Sequence, residues 1–231
     1  MTSRHPNVEM LEVVVAALGE LTEEMVFVGG CATGLLITDM ARPPVRATQD
    51  VDVIAAVASK ADYYELEKNL KRAGFSQDTS GEVVCRWTIR NIKIDVMPTD
   101  EKILGFSNFW YPSAIATATN YQLPSGHVVR LIASPQFIAT KIEAFHGRGK
   151  NDFRASHDIE DIITVVDGRR ELIDEVNSSD ESLRDYLAEE LEEFLGTPTF
   201  TDALPGHMAP DQSNQDRVPI IIERLRVLAR L

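Results

Sequence analysis

The chain has 231 residues, 44% of them apolar, and a formal net charge of −13. That is enough apolar material for one large domain or two small ones with a packed core, so a globular protein is expected. No segment has the length and purity of a membrane span and residues 1–10 lack an apolar leader, so a cytoplasmic address without membrane attachment is expected. Cys31 and Cys85 have no metal-type spacing and suggest neither a disulfide framework nor zinc. Much of the charge is local: between Glu171 and Asp202 lie eleven acids and one base, Arg184, so the remainder is only mildly acidic. A sequence-independent grip on nucleic acid needs a clustered basic face. The best local candidate is Lys141, Arg148, Lys150 and Arg154, enough for a nucleotide or a short stretch of RNA backbone, and stable DNA binding is not expected.

In chain order, Met10, Leu11, Val14, Val15 and Leu18 have helical spacing and predict an amphipathic helix over Asn7–Leu21. A strand over Met25–Val28 runs into Gly29-Gly30, which opens an apolar helix over Ala32–Asp39. Arg42-Pro43-Pro44 closes that helix, because proline cannot continue a helix interior. Arg46–Gln49 reads as an approach loop to a strand over Asp50–Val57. The next helix spans Ser59–Ala73, with Ser59 as cap and Gly74 as stop.

Val83–Arg90 and Lys93–Val96 read as paired strands around Asn91, with Asp95 on the polar side. An aromatic loop, Phe106–Tyr111, leads to a hairpin that turns at Pro124-Ser125-Gly126 and returns as Val128–Ile132. Ser134-Pro135 gives a cap followed by proline at the first helical position. From there helices are predicted over Gln136–His146, Ser156–Val166, Arg169–Asn177, Glu181–Leu195 and Val218–Leu231. An irregular, Pro- and Gly-rich connection is predicted over Gly196–Asp216.

The chemistry concentrates in three places. Gly29-Gly30 lets backbone approach a ligand at a helix N-terminus, where unsatisfied N–H groups and partial positive charge suit a phosphate; alone, the pair reads first as a tight strand-to-helix turn. Asp50 and Asp52 project from one side of their strand. With Asp95 as a third acid they make the hard-oxygen set that magnesium takes in two-metal nucleotidyl transfer. The alternative is the solvated face of an edge strand.

The third place is the helical half. Lys141 interrupts an apolar face formed by Phe137, Ile138, Ile142 and Phe145. It either snorkels to solvent or reaches nucleotide phosphate. Asp158 and Asp161 share one stripe of the next helix, where they anchor Lys141 or Arg148, serve as a base for an acceptor hydroxyl, or form surface ion pairs. His146 and His157 read as structural or solvent-facing. Cys31 reads as a small buried residue behind the glycine turn.

Together these residues resemble a known family. Gly29-Gly30-Cys31-Ala32, Arg46-Ala47-Thr48-Gln49-Asp50-Val51-Asp52, Lys93-Ile94-Asp95-Val96, Lys141-Ile142-Glu143-Ala144, Arg148, Lys150 and Asp158-Ile159-Glu160-Asp161-Ile162 resemble the AbiEii-like, toxin-type nucleotidyltransferases of the polymerase beta superfamily. The match runs from about Val26 to Val166. It implies an α+β fold, with a polymerase-beta-like mixed sheet flanked by helices over residues 1–133. A helical C-terminal domain over 134–231 would pack over an active-site cleft.

The resemblance implies a pyrophosphate-releasing, NTP-dependent enzyme with a two-ion magnesium site at Asp50, Asp52 and Asp95. It assigns Asp50, Asp52, Asp95 and Asp158 to catalysis, and Gly29, Gly30, Lys141, Arg148 and Asp161 to the nucleotide. Gly-Gly stands where the superfamily commonly has Gly-Ser, though Gly-Gly is usual in this branch and in lincosamide-modifying relatives. The interval from Gly30 to Asp50 is longer than in many relatives, and the Arg42–Gln49 loop reads as an insertion. In toxin-type members the acceptor is RNA, tRNA first, and a cognate antitoxin restrains the enzyme. The shortage of basic residues keeps an antibiotic-type, small-molecule nucleotidyltransferase as an alternative. A non-catalytic nucleotide-binding module, with an acidic partner-binding surface over Asp180–Phe194, is a third.

Overall fold

The computed structural model describes residues 5–39, 41, 45–57, 59–79, 83–149 and 151–231. The Arg42-Pro43-Pro44 stop signal and Lys150 lie outside them. By its internal contacts the chain divides into two units, one from Met1–Leu35 with Arg46–Ala133 and one from Leu36–Val45 with Ser134–Leu231.

The first unit begins with α1 (Pro6–Leu18), which buries Leu11, Val14, Val15 and Leu18 and carries proline in its first turn, where a missing N–H is no loss. It stops short of the predicted Leu21 because Gly19 adopts φ +56° and the chain continues as a 3₁₀ helix over Gly19–Glu24. β1 (Met25–Val28) is buried along its whole length. α2 (Gly29–Leu36) starts on the glycine pair itself, earlier than the predicted Ala32. β2 (Asp50–Ala55) follows, then α3 (Lys60–Arg72), whose cap Ser59 accepts from the Asp62 amide as predicted.

β3 (Ser76–Gln77), β4 (Arg86–Ile89) and β5 (Ile92–Pro98) come next. β4 and β5 join through Arg90 and Asn91, at φ 48° and 67°, the two left-handed residues that a tight hairpin turn requires. The predicted aromatic loop is framed by two short helices, α4 (Glu101–Leu104) and α5 (Tyr111–Thr117). β6 (Thr119–Gln122) and β7 (Val128–Leu131) form the last hairpin.

Among the described residues these strands make one seven-stranded mixed sheet in the order β3-β4-β5-β2-β1-β7-β6. β2 runs parallel to β5 and antiparallel to β1, and β1 runs parallel to β7. β2 is therefore central and not the edge strand of the alternative reading. Val51, Val53 and Ile54 are fully buried, each stabilising the unit by about 1.5–3 kcal/mol.

The second unit is helical. α6 (Ser134–Arg148) and α7 (His157–Gly168) lead to α8 (Leu172–Asn177) and α9 (Glu181–Gly196). Ser134 does not cap α6: its hydroxyl is buried without a hydrogen-bond partner. Ser156 does cap α7, accepting from the Ile159 amide. The predicted irregular connection is largely helical, with α10 (Pro198–Ala203), a 3₁₀ turn over Leu204–His207 and α11 (Gln212–Gln215) before α12 (Val218–Leu228). Proline in the first turn of three of these elements starts helix and does not break it.

Phe145, Phe153, Phe194 and Phe200 form an aromatic cluster with neighbouring centroids 4.8 to 5.8 Å apart. The segment after α2 is tied into this unit. Thr38 and Asp39 amides donate to the Gly168 carbonyl, and Arg169 donates to the Leu36 carbonyl. Hydrogen bonds from Arg170, the Ala41 amide and Arg217 hold the Asp39 carboxyl well below the usual carboxylate range.

Candidate functional site

Strand register builds the first cluster. Val28 pairs with Asp52, Asp52 with Asp95, and Asp95 with Arg86, so one row crosses β1, β2, β5 and β4 on one face of the sheet. Asp50 lies two residues before Asp52 and shares that face. Asp95 is only 8% exposed, less solvated than its alternating pattern predicts, and the reason is Arg86. The arginine donates to Asp95 from Nε to Oδ1 and from Nη2 to Oδ2, both at 2.7 Å, and from Nη2 to Asp50 Oδ2 at 3.0 Å. These bonds hold the Arg86 guanidinium above its ordinary pKa. The other Asp50 oxygen accepts from the Thr48 hydroxyl at 2.9 Å.

The glycine pair stands against this row. Gly29 has φ +66°, and a Cβ built there would lie 1.9 Å from Asp52 Oδ2, so the Asp52 carboxylate lies where a side chain at 29 would be. At Gly30 a Cβ would meet Thr48 Oγ1 at 3.3 Å and an Arg46 guanidinium nitrogen at 3.5 Å. α1 fixes the loop that carries those two residues: buried Asn7 donates to the Arg46 carbonyl and accepts from the Thr48 amide, both at 3.0 Å. Cys31 is buried, its thiol 3.7 Å from the Val28 carbonyl.

For a divalent ion, three carboxylates on neighbouring strands are the right donor chemistry. Two of the three, Asp50 and Asp95, are closed on the Arg86 guanidinium. Among the described residues no three His, Cys, Asp or Glu side chains converge as a metal site.

The second cluster lies in the helical unit. Lys141 is buried, with Nζ 3.1 Å from Asp158 Oδ1 and 2.7 Å from Asp161 Oδ2. Arg148 donates to both oxygens of Asp158 at 3.0 and 2.8 Å, and its side chain remains 71% exposed. Burial raises the Asp158 pKa, but hydrogen bonds from Arg148 and the charge of Lys141 outweigh it, and the net pKa falls. Lys141 therefore does not snorkel; it is held between two carboxylates, and Arg148 covers one of them. Arg154 is exposed, His146 pairs with Glu190 at 2.6 Å, and His157 pairs with Glu160 at 3.1 Å.

Sequence reasoning missed Arg86, Thr48 and Asn7 as parts of the first cluster. Arg86 had a signal: a two-residue turn at Arg90-Asn91 puts residue 86 opposite residue 95, whereas a turn centred on Asn91 leaves the register open. Asn7 had none, because its partners are backbone groups far along the chain.

No protein-family model matches the chain, and no curated protein matches it. Among solved structures it is similar to the antibiotic-resistance factor ANT(2'')-Ia, at 17% identity, covering 68% of this chain and 81% of that chain with a TM-score of 0.42.

Proposed function

We propose that this chain is a metal-dependent nucleotidyltransferase that moves a nucleotide from an NTP to an acceptor hydroxyl. The observation that carries the reading is the placement of Asp50, Asp52 and Asp95 on one face of adjacent parallel strands, with Gly29 at positive φ against Asp52 at the start of α2. In the reaction the acceptor oxygen bonds to the α-phosphorus, the bond to the β-bridging oxygen breaks, pyrophosphate leaves, and the hydroxyl proton passes to a carboxylate.

Magnesium at Asp50, Asp52 and Asp95 would supply Lewis-acid charge to the phosphates and the attacking oxygen. Gly29 and Gly30 give the triphosphate a close approach to the first amides of α2. Thr48 orients Asp50, and Asn7 orients Thr48. Within the helical unit, Lys141, Arg148 and Asp161 are assigned to the nucleotide. Asp158, kept ionised by its two cations, fits the anchor role, because a low pKa makes a weak base.

For the acceptor, the toxin-type reading gives RNA, with tRNA first, and a cognate antitoxin as partner. The shortage of basic residues, 23 Lys and Arg against 36 Asp and Glu, supports a second reading, an antibiotic-type small-molecule acceptor, since a tRNA-sized ligand needs a wide positive surface. Incubation with each α-labelled NTP, magnesium and either total RNA or a panel of hydroxyl-bearing antibiotics separates them. Label on RNA alone supports the first reading, and label on a small molecule alone supports the second. Absence of label on either, together with no magnesium-dependent thermal stabilisation by any NTP, refutes the activity.

A further inference from the structure

The acid row contains a base that metal chemistry does not call for. Arg86 is 17% exposed at its side chain and takes both oxygens of Asp95 and one of Asp50, while Thr48 takes the other Asp50 oxygen. Carboxylates gathered on adjacent strands repel one another and need a neutralising cation. A guanidinium supplies one in a fixed, bidentate fork and cannot shed its charge when another cation arrives. Hydrogen bonds to Arg86 and coordination to a divalent ion therefore draw on the same oxygens, and the two positive charges repel.

We propose that Arg86 is the built-in counter-ion of the Asp50, Asp52 and Asp95 row, holding it together in the metal-free protein and lowering its metal affinity by competing for the same carboxylate oxygens. The inference rests on the reading of those acids as metal ligands. It makes Arg86 a positioning residue: it sets how the acids stand before the ion arrives, and it must release oxygens for the ion to be held.

Manganese binding followed by the electron paramagnetic resonance of free Mn²⁺ tests this, in the full chain and without nucleotide. Arg86→Gln is expected to bind Mn²⁺ about tenfold more tightly than wild type, because it removes a positive charge that competes with the ion for the same oxygens. In EDTA the same variant is expected to melt below wild type, and saturating Mn²⁺ is expected to narrow that gap. Arg86→Lys keeps the charge but loses the fork and should fall between the two, so it carries the test if circular dichroism shows Arg86→Gln to be unfolded. Equal or weaker Mn²⁺ binding in the folded variants, with wild-type binding abolished by Asp50→Asn/Asp52→Asn, overturns the role of Arg86 and leaves the metal reading standing. Wild-type binding that is absent, or that survives Asp50→Asn/Asp52→Asn, overturns the metal reading and this inference with it.

Discussion

Gly29→Ala isolates what the glycine turn does. At φ +66° an alanine in place of glycine costs about 1–2 kcal/mol through its Cβ. The new Cβ would also lie 1.9 Å from Oδ2, 2.5 Å from Cγ and 2.7 Å from Cβ of Asp52; rotating the Asp52 side chain frees the first two at a further cost of about 0.5–1.5 kcal/mol, whereas the Cβ contact is relieved only by a small backbone shift. These two terms sum to about 1.5–3.5 kcal/mol, or a Tm lowered by roughly 3–14 °C. Gly30→Ala is the control: its φ is not positive and its nearest neighbour, Thr48 Oγ1 at 3.3 Å, has to give by only a few tenths of an ångström, so a change within about 1 kcal/mol of either sign is expected. Urea unfolding of both variants, and of Gly29→Ala in an Asp52→Ala background, separates the terms. The background removes the Oδ2 and Cγ contacts and should recover about 1 kcal/mol, leaving the backbone term and the contact with the Cβ that alanine keeps at position 52. A Gly29→Ala variant no less stable than Gly30→Ala would refute the argument.

Lys141→Met removes the cation 2.7 Å from Asp161 and 3.1 Å from Asp158 while both carboxylates stay buried, and is expected to destabilise by about 3–5 kcal/mol in urea unfolding. Adding Asp161→Asn should restore part of that loss. The Asp158 pKa is depressed in the folded state, so its contribution is fully present above the ordinary value of 3.8 and is lost as pH falls through the lower folded value. Arg148→Gln should therefore flatten the acid limb of a stability–pH curve, and an unchanged limb would refute the assignment. Burial, and then the charge of Asp95, push the Cys85 thiol up to about 12. Native protein at pH 8 is expected to leave that thiol unreacted with Ellman's reagent, with full reaction after denaturation.

Much of the fold is written locally. Apolar spacing places α1, Ser59 and Gly74 bound α3, and Ser156 caps α7, because these signals act within a turn of the residues they control. The failures lie where a local signal has two outcomes. Proline breaks a helix interior but starts a helix, so the stretch from Gly196 reads as loop and folds as short helices. Ser134 looks like a cap and is buried inside α6 instead.

The sequence by itself determined the acids, the glycine pair and the alternation that puts Asp50 and Asp52 on one face, because side-chain direction along a strand follows from its period of two. Only the tertiary structure decided that β2 is central, that Asp52 aligns with Asp95, and that Gly29 has no room for a side chain. Strand order and register depend on pairings between distant residues, which no local pattern specifies. The same holds for the charges. That Asp158 and Asp161 anchor Lys141 or Arg148 was one of three readings open in the sequence; that both acids hold Lys141 while Arg148 takes Asp158, and that Arg86 pairs with Asp95 and Asp50, came from packing that brings separate segments within hydrogen-bond distance.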